Sequence, residues 1–353
     1  MSFFTTKEIA FGLDISDHKL RLIQLAQKGR NINVQLYNEV DLIPDCLVSG
    51  DIKKPEALLS SLKKLTKTVH GKGKLSDEVI VVLPEEKTFL KTIAMPITEN
   101  KNMDQELKKN LPQHVPINFD NVYIDWQIIK TSDTSQTVLI GSSPKEIVDS
   151  YVNILNRANL MPTVVEIEAT AIARALIDAK NNQNAQIIID IGANRTGLFL
   201  YDEDTIKFTI SLPLSGKQIT QLIVDTLDLD WQKAEQAKIV CGLDREKCHG
   251  ALLEIFTDTI NKLENHIKQT MEFYYNNYGS EKKVEKIILC GGGANFINIT
   301  QILEERLGIT TAISNPWERI KNPNPDYFNC HRTQSFITTL GLGLRGLNPE
   351  TFL

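Results

Sequence analysis

The sequence predicts an α/β chain of two lobes, with a small α+β unit inserted into the first. Its 353 residues exceed what a single hydrophobic core organises. Its two halves open alike, on a strand, a tight polar turn and a second strand: IAFGLDISDHKLRLIQLA from Ile9 and IIIDIGANRTGLFLYDED from Ile187. Between them, from about Asp77, the texture changes to short strands and helices of a different kind. The expected division is a first domain of 1–180 and 333–353, carrying an insertion at about 76–165, and a second domain of 181–332.

In order, two strands flank the polar turn Ser16-Asp17-His18, and INVQLYNEV supplies a third. Leu58, Leu62, Leu65 and Val69 then recur at helical spacing on a Lys-rich segment, an amphipathic surface helix. The run from His70 to Lys74 breaks the pattern. VIVVLPEE and FLKTIAMP are short strands ended by Pro84 and Pro96, and a polar helix from Asp104 to Leu111 ends at Pro112. Val122, Ile124, Trp126 and Ile128 alternate with polar neighbours, so that strand buries one face. Ser143-Pro144-Lys145-Glu146 predicts a helix start capped by Ser143, with Ile147, Tyr151, Ile154, Leu155 and Ala158 facing inward. In the second half, helices are expected at Lys217–Leu227, Trp231–Val240 and Ala251–Asn277. The last carries a core stripe of Leu252, Phe256, Ile260, Leu263, Ile267, Met271 and Tyr274. KIILCGGGANF is a strand entering a glycine turn, and Phe336–Leu344 is an interior helix.

Composition excludes several classes. A net charge of -5 and no Lys/Arg stripe argue against nucleic-acid binding. No run of about 18 apolar residues predicts a membrane span, and the first residues lack a secretory signal's basic start and apolar stretch. Cytoplasmic location is the expectation. The five cysteines, Cys46, Cys241, Cys248, Cys290 and Cys330, have unrelated spacings and are expected to lack partners. Cys248-His249 and Cys330-His331 suggest zinc ligands on paper, but without C-x-x-C spacing no zinc site is expected.

Three segments share a chemical logic. Leu13–Ser16 and Ile189–Asn194 each place an acid, Asp14 or Asp190, at a strand end before a sharp turn. Cys290–Gly293 ends a buried strand in three glycines. Such turns bring backbone N–H groups close to phosphate oxygens, and an adjacent acid holds the water shell of Mg²⁺. Singly, each reads first as an ordinary hairpin turn or helix entry; their combined order points to a phosphate cradle. Ser16, Asp17, Gly192, Ala193 and Asn194 are the phosphate-binding candidates, with Asp14 and Asp190 near the Mg²⁺. No G-x-x-x-x-G-K-[ST] is present, and no G-x-G-x-x-G opens a βαβ unit.

The order of phosphate turn, insertion, phosphate turn, Ala-Glu-x-x-Lys helix and triglycine resembles the actin, heat-shock chaperone and sugar-kinase superfamily. VVLPEEKTFLKTIAMP, VYIDWQII, SSPKEIVDSYVNILNRANLMPTVVEIEATAIARAL and TTLGLGLRGL resemble, in sequence and order, the PilM family of type IV pilus assembly proteins, and more distantly FtsA of cell division. The resemblance covers essentially the whole chain. It implies a two-lobed actin-like (ribonuclease H-like) fold that binds ATP with Mg²⁺. Ala234-Glu235-Gln236-Ala237-Lys238 resembles the helix that meets ribose and base, so Glu235 and Lys238, with Gly291, Gly292 and Gly293, are the adenosine candidates. Glu168 falls where related enzymes keep an acid that positions the attacking water, although the usual Glu-Pro pattern is absent; it reads equally as a helix-start charge.

One departure bears on mechanism. The family's first turn begins D-x-G, whereas here Asp14-Ile15-Ser16-Asp17-His18 lacks the glycine and adds a negative charge. Nucleotide binding is therefore expected to outlast fast hydrolysis, leaving at most a slow ATPase. The resemblance implies an adaptor of the pilus platform that binds the cytoplasmic N-terminal tail of a PilN-like inner-membrane protein and meets the membrane only through it; self-association stays open. The alternatives are an FtsA-like polymerising protein, disfavoured by a C-terminus poor in basic residues, and a small-molecule kinase, for which no second acid cluster is seen.

Overall fold

Residues 9–99, 102–110, 121–177, 184–278, 283–321 and 324–349 are described by the computed structural model. Pro112, the expected helix stop, and the expected 180/181 boundary lie outside them. The chain opens with β1 (Phe11–Ile15), β2 (Lys19–Lys28) and β3 (Asn31–Asp41), a small hairpin of β4 (Leu47–Val48) and β5 (Asp51–Ile52), α1 (Pro55–Lys67), β6 (His70–Gly71) and β7 (Glu78–Leu83). β1 pairs antiparallel with β2 and parallel with β7. All five residues of β1 are buried, because helices cover both faces of the sheet. Phe11, Leu13 and Ile15 join Leu58 and Leu62 of α1 in one core. On the other face, a Cβ at Gly12 would stand 2.6 Å from Leu342 Cβ, so only glycine admits the final helix there.

The inserted unit comprises β8 (Phe89–Pro96), α2 (Met103–Asn110), β9 (Val122–Thr131) and β10 (Ser135–Pro144), followed by α3 (Lys145–Arg157), β11 (Met161–Ile167) and α4 (Glu168–Leu176). Ile93, Met95, Met103, Leu107, Val138 and Ile140 form its own small core. The expected bounds of 76–165 also take in β7, α3 and most of β11. β7 and β11 pair in parallel within the first sheet, and Tyr151 and Leu155 of α3 pack into the first lobe. A continuous apolar run such as VIVVL marks a doubly covered strand without saying which sheet it enters. The expected Ser143 cap is also corrected: Ser143 ends within β10, Pro144 precedes the helix, and no side chain caps it.

The second half builds β12 (Ala185–Ile191), β13 (Thr196–Asp202), β14 (Thr205–Leu212), α5 (Gly216–Leu227), α6 (Trp231–Cys241), α7 (Ala251–Tyr278), β15 (Val284–Cys290), α8 (Ile299–Leu307), β16 (Thr310–Ile313), β17 (Ile320–Lys321), α9 (Cys330–Ser335) and α10 (Ile337–Leu347). The second sheet runs β16-β15-β12-β13-β14-β8-β10-β9, so the inserted unit extends it. That seam is narrow: Phe208 pairs with Lys91, Thr92 Oγ1 donates to the Ile206 carbonyl at 2.6 Å, and Tyr278 Oη donates to Thr92 and Lys207 carbonyls. β17 returns to pair with β3, ahead of the expected re-entry at 333. The α7 stripe is buried as its period requires, Met271 partly so.

The expectation of unpartnered cysteines fails for one pair. Cys241 and Cys248 form a disulfide with Cα atoms 5.9 Å apart. Left-handed backbone at Cys248 (φ 49°) and His249 (φ 53°) turns the chain back onto the end of α6, which spacing alone does not reveal. Cys46, Cys290 and Cys330 are free.

Candidate functional site

The turns that end β1 and β12 come from different halves of the chain and face each other. Asn194 Nδ2 donates to Asp17 Oδ2, while Asn194 Oδ1 lies 3.3 Å from His18 Nε2. Asp17 also accepts from the Gly50 backbone N–H at 3.3 Å. The charge that Asp17 adds to the first turn is thus bound within the protein. Ser16 Oγ donates to the Lys19 carbonyl at 2.9 Å, closing the turn that glycine would otherwise make.

A cavity of about 380 Å³ lies at this meeting point, lined by Asp14, Asp17, Glu168, Asp190, Asn194 and Arg195 among others. Asp14 and Asp190 both reach it because each ends a buried strand. The β1–β2 register sets Asp14 opposite Arg21, whose Nη1 donates to Asp14 Oδ2 at 3.2 Å. Burial nevertheless lifts the Asp14 carboxyl to about 6, against the Arg21 cation. Asp190 rises above the ordinary carboxylate range through burial and the nearby Glu168 charge, with Arg195 opposing.

The triglycine lies directly behind Asp190. Gly291 has φ +77°, and a Cβ there would sit 2.2 Å from Asp190 Oδ1; a Cβ at Gly293 would sit 2.1 Å from Ile191 Cγ2. At Gly292 nothing stands within 4 Å of the added carbon. The glycines let β15 close against the second turn while leaving open space beside it.

The Glu235 and Lys238 helix joins the same region. Gly216 N and Lys217 N donate to the Gly192 and Ala193 carbonyls at 3.0 Å each, seating the start of α5 on the second turn. Ser215 caps α5, accepting from Gln218 N at 3.2 Å. Lys238 Nζ donates to the Gly216 carbonyl at 3.1 Å, Thr220 Oγ1 at 2.7 Å and Glu235 Oε2 at 2.6 Å. A second cavity of about 450 Å³ opens there, with Trp231, Glu235, Lys238, Gly292 and Gly293 in its lining. Gly192, Ala193, Gly292 and Ser335 line both cavities, which therefore adjoin. All the site residues expected from the sequence line one cavity or the other.

Sequence reasoning missed three groups. Arg195 Nη2 donates to Glu168 Oε2. Arg21 is fixed by Asp14 and by Glu39, whose Oε2 is 3.5 Å from Arg21 Nε. Glu85, 3% exposed, is lifted to about 7 by burial against the Arg195 cation, and its Oε2 accepts no hydrogen bond. Period and motif are silent on these. The one available signal was an arginine directly after a phosphate-type turn. Among the described residues, no group of three or more His, Cys, Asp or Glu is placed to hold a metal by itself.

The family model described as type IV pilus assembly protein PilM matches residues 12–347. The cell division protein FtsA of Borreliella burgdorferi is 22% identical over 289 residues, covering 71% of this chain and 64% of that protein. The chain thus spans under two thirds of that relative's length. The structure is similar to the PilM–PilN type IV pilus biogenesis complex, with a TM-score of 0.80 and 23% identity over 97% of this chain and 100% of that one. It is also similar to MreB5 of Spiroplasma citri bound to AMPPNP, at TM-score 0.53 and 15% identity over 96% of each chain. The fold is actin-like.

Proposed function

The chain belongs to the PilM family of type IV pilus assembly proteins, and we propose that it acts there as an ATP-binding adaptor rather than a fast enzyme. One observation carries the reading: two acid-bearing turns from different halves converge on a single cavity, backed by Gly291, which admits no side chain. The backbone of Gly192, Ala193 and Asn194 borders that cavity as a phosphate cradle would. The neighbouring cavity, with Glu235 and Lys238 in its wall, is of the size and polarity to take a nucleoside.

Mg²⁺ fits this donor set. Asp14 and Asp190 are carboxyls raised by burial, and each also feels other carboxylates, so positive charge beside them favours their ionised forms. When bound, Mg²⁺ supplies charge neutralisation for the phosphates. Arg21 holds Asp14 in place, and Gly291 allows β15 to approach Asp190. Lys238 ties the start of α5 to α6 and holds Glu235 in the wall of the second cavity, where it would meet a ribose hydroxyl. Glu168, on the first turn of α4, lines the same cavity as Asp14 and Asp190 and would be the acid to orient water once released from Arg195.

Nucleotide between the two halves would bias their relative closure, as hinge motion around a ligand does. The partner we propose is the N-terminal tail of a PilN-like inner-membrane protein, in keeping with the complex that the similar structure represents. Among the described residues no helix is long and apolar enough to cross a membrane. A position at the cytoplasmic face of the inner membrane, reached through that partner, belongs to the same proposal.

Calorimetric titration with ATP, with and without Mg²⁺, tests the reading. Mg²⁺-dependent binding with little phosphate release is expected, and a PilN-type tail peptide should bind the same protein. A chain that binds no ATP under either condition refutes the nucleotide reading. Pelleting with ATP and liposomes would instead favour a polymerising protein of the FtsA kind.

A further inference from the structure

We propose that Arg195 is a latch that holds Glu168 away from nucleotide-bound water and so keeps bound ATP unhydrolysed. The inference rests on the nucleotide reading above and names the regulation of that site.

Arg195 closes the second turn, its carbonyl accepting from Gly192 N at 2.9 Å. Its position is therefore set by the turn that would cradle phosphate. The side chain reaches Glu168, and the paired side chains are 17% and 16% exposed. Shielding of this degree separates it from a surface ion pair, where water and salt remove most of the attraction. Glu85 flanks the same guanidinium from a buried position. The guanidinium is thus held among carboxylates of two different elements, α4 and the segment after β7.

Glu168 lines the cavity shared with Asp14 and Asp190. To activate water it must offer a lone pair and take up a proton. A carboxylate oxygen already accepting a charge-assisted bond from a guanidinium has that lone pair occupied. Arg195 is therefore a positioning residue that acts through Glu168. In the step it restrains, a water oxygen forms a bond to the γ-phosphorus of ATP. The bond from that phosphorus to the β–γ bridging oxygen breaks, its electron pair leaving with ADP. The water proton passes to Glu168 and then to solvent.

The test measures ATP affinity by calorimetry and single-turnover hydrolysis with Mg²⁺ on the full chain. It uses wild type, R195Q, E168Q and the double variant, each checked for folding by thermal melting. R195Q, saturated with ATP at the concentration its own calorimetric Kd requires, should hydrolyse at least ~10-fold faster than wild type, in keeping with general-base action. Adding E168Q should abolish that gain, which a merely structural role for Arg195 would not produce. R195Q that binds ATP and hydrolyses no faster overturns the latch, as does a gain that survives E168Q. If R195Q does not fold, R195K serves: its ammonium lacks the planar fork, so a smaller gain is expected, and wild-type turnover overturns the proposal. Wild type that fails to bind ATP is seen in calorimetry alone and overturns the nucleotide reading, and the latch's function with it.

Discussion

Replacing Glu85 by glutamine should leave the protein's stability almost unchanged near pH 4 and raise it progressively toward about pH 8, relative to wild type. Burial lifts the Glu85 carboxyl from 4.5 to about 7, with Arg195 opposing and Glu168 adding to the rise. The folded state therefore binds this proton more tightly than the unfolded state does. The stabilisation is fully present below 4.5 and is lost as pH rises through about 7. At roughly 1.4 kcal/mol for each tenfold in proton affinity, the ionised group costs the fold about 3 kcal/mol once pH exceeds both values. Glutamine matches the shape and carries no titrating proton, so the cost disappears in the variant. Contributions of the surface carboxylates are present in both proteins and cancel in the difference, whereas Asp190, which the Glu85 charge also raises, adds to it in the same direction. Urea unfolding of each protein at half-unit intervals of pH supplies the curve. A wild-type to E85Q difference that stays flat with pH would refute the argument, because it would mean that the Glu85 carboxyl titrates alike folded and unfolded.

Four further outcomes follow from the geometry. Arg174 Nη1 donates at 3.0 Å both to Glu166 Oε2 and to the Gly341 carbonyl, in a pair whose side chains are 6% and 4% exposed; R174M should cost about 3–5 kcal/mol in urea unfolding, and R174M/E166L markedly less. A Cβ at Gly341 would stand 1.8 Å from the Ala171 carbonyl oxygen, so G341A should force α4 and α10 apart and lower the melting temperature. K238M removes a cation bonded to three groups beside the second cavity, and should weaken ATP binding on the order of tenfold in calorimetry, with Thr220 and Glu235 left short of a partner. Reduction of Cys241–Cys248 should destabilise the protein by about 2 kcal/mol through loop closure, and alkylation that finds both thiols free in the untreated protein would refute the pairing.

Much of the local structure around the candidate site was legible before any contact was known. The glycine of Asp190-Ile191-Gly192, the triglycine after Cys290 and the seven-residue stripe of α7 each report a local requirement. A turn needs a permissive backbone, and a helix against a sheet needs an apolar face of period 3.6; both are properties of a short window. Two such turns in separate halves sufficed to nominate one site. The same logic failed where a residue served its window in more than one way. VIVVL is an equally good strand in either sheet, and only its parallel pairing with β1 assigned it to the first lobe. Ser143 reads as a helix cap but is held in β10 by pairing with Tyr123 of β9.

What the tertiary structure alone decided is which charges meet. Arg21 finds Asp14 through the register of β1 and β2, Asn194 binds Asp17 only because two distant turns are brought face to face, and Arg195 reaches Glu168 because α4 packs beneath β13. Composition records that these charges exist. Whether a given carboxylate is raised by burial, held by a guanidinium or left free to act on water depends on distances of a few ångströms, and those are set by the packing of elements far apart in the chain.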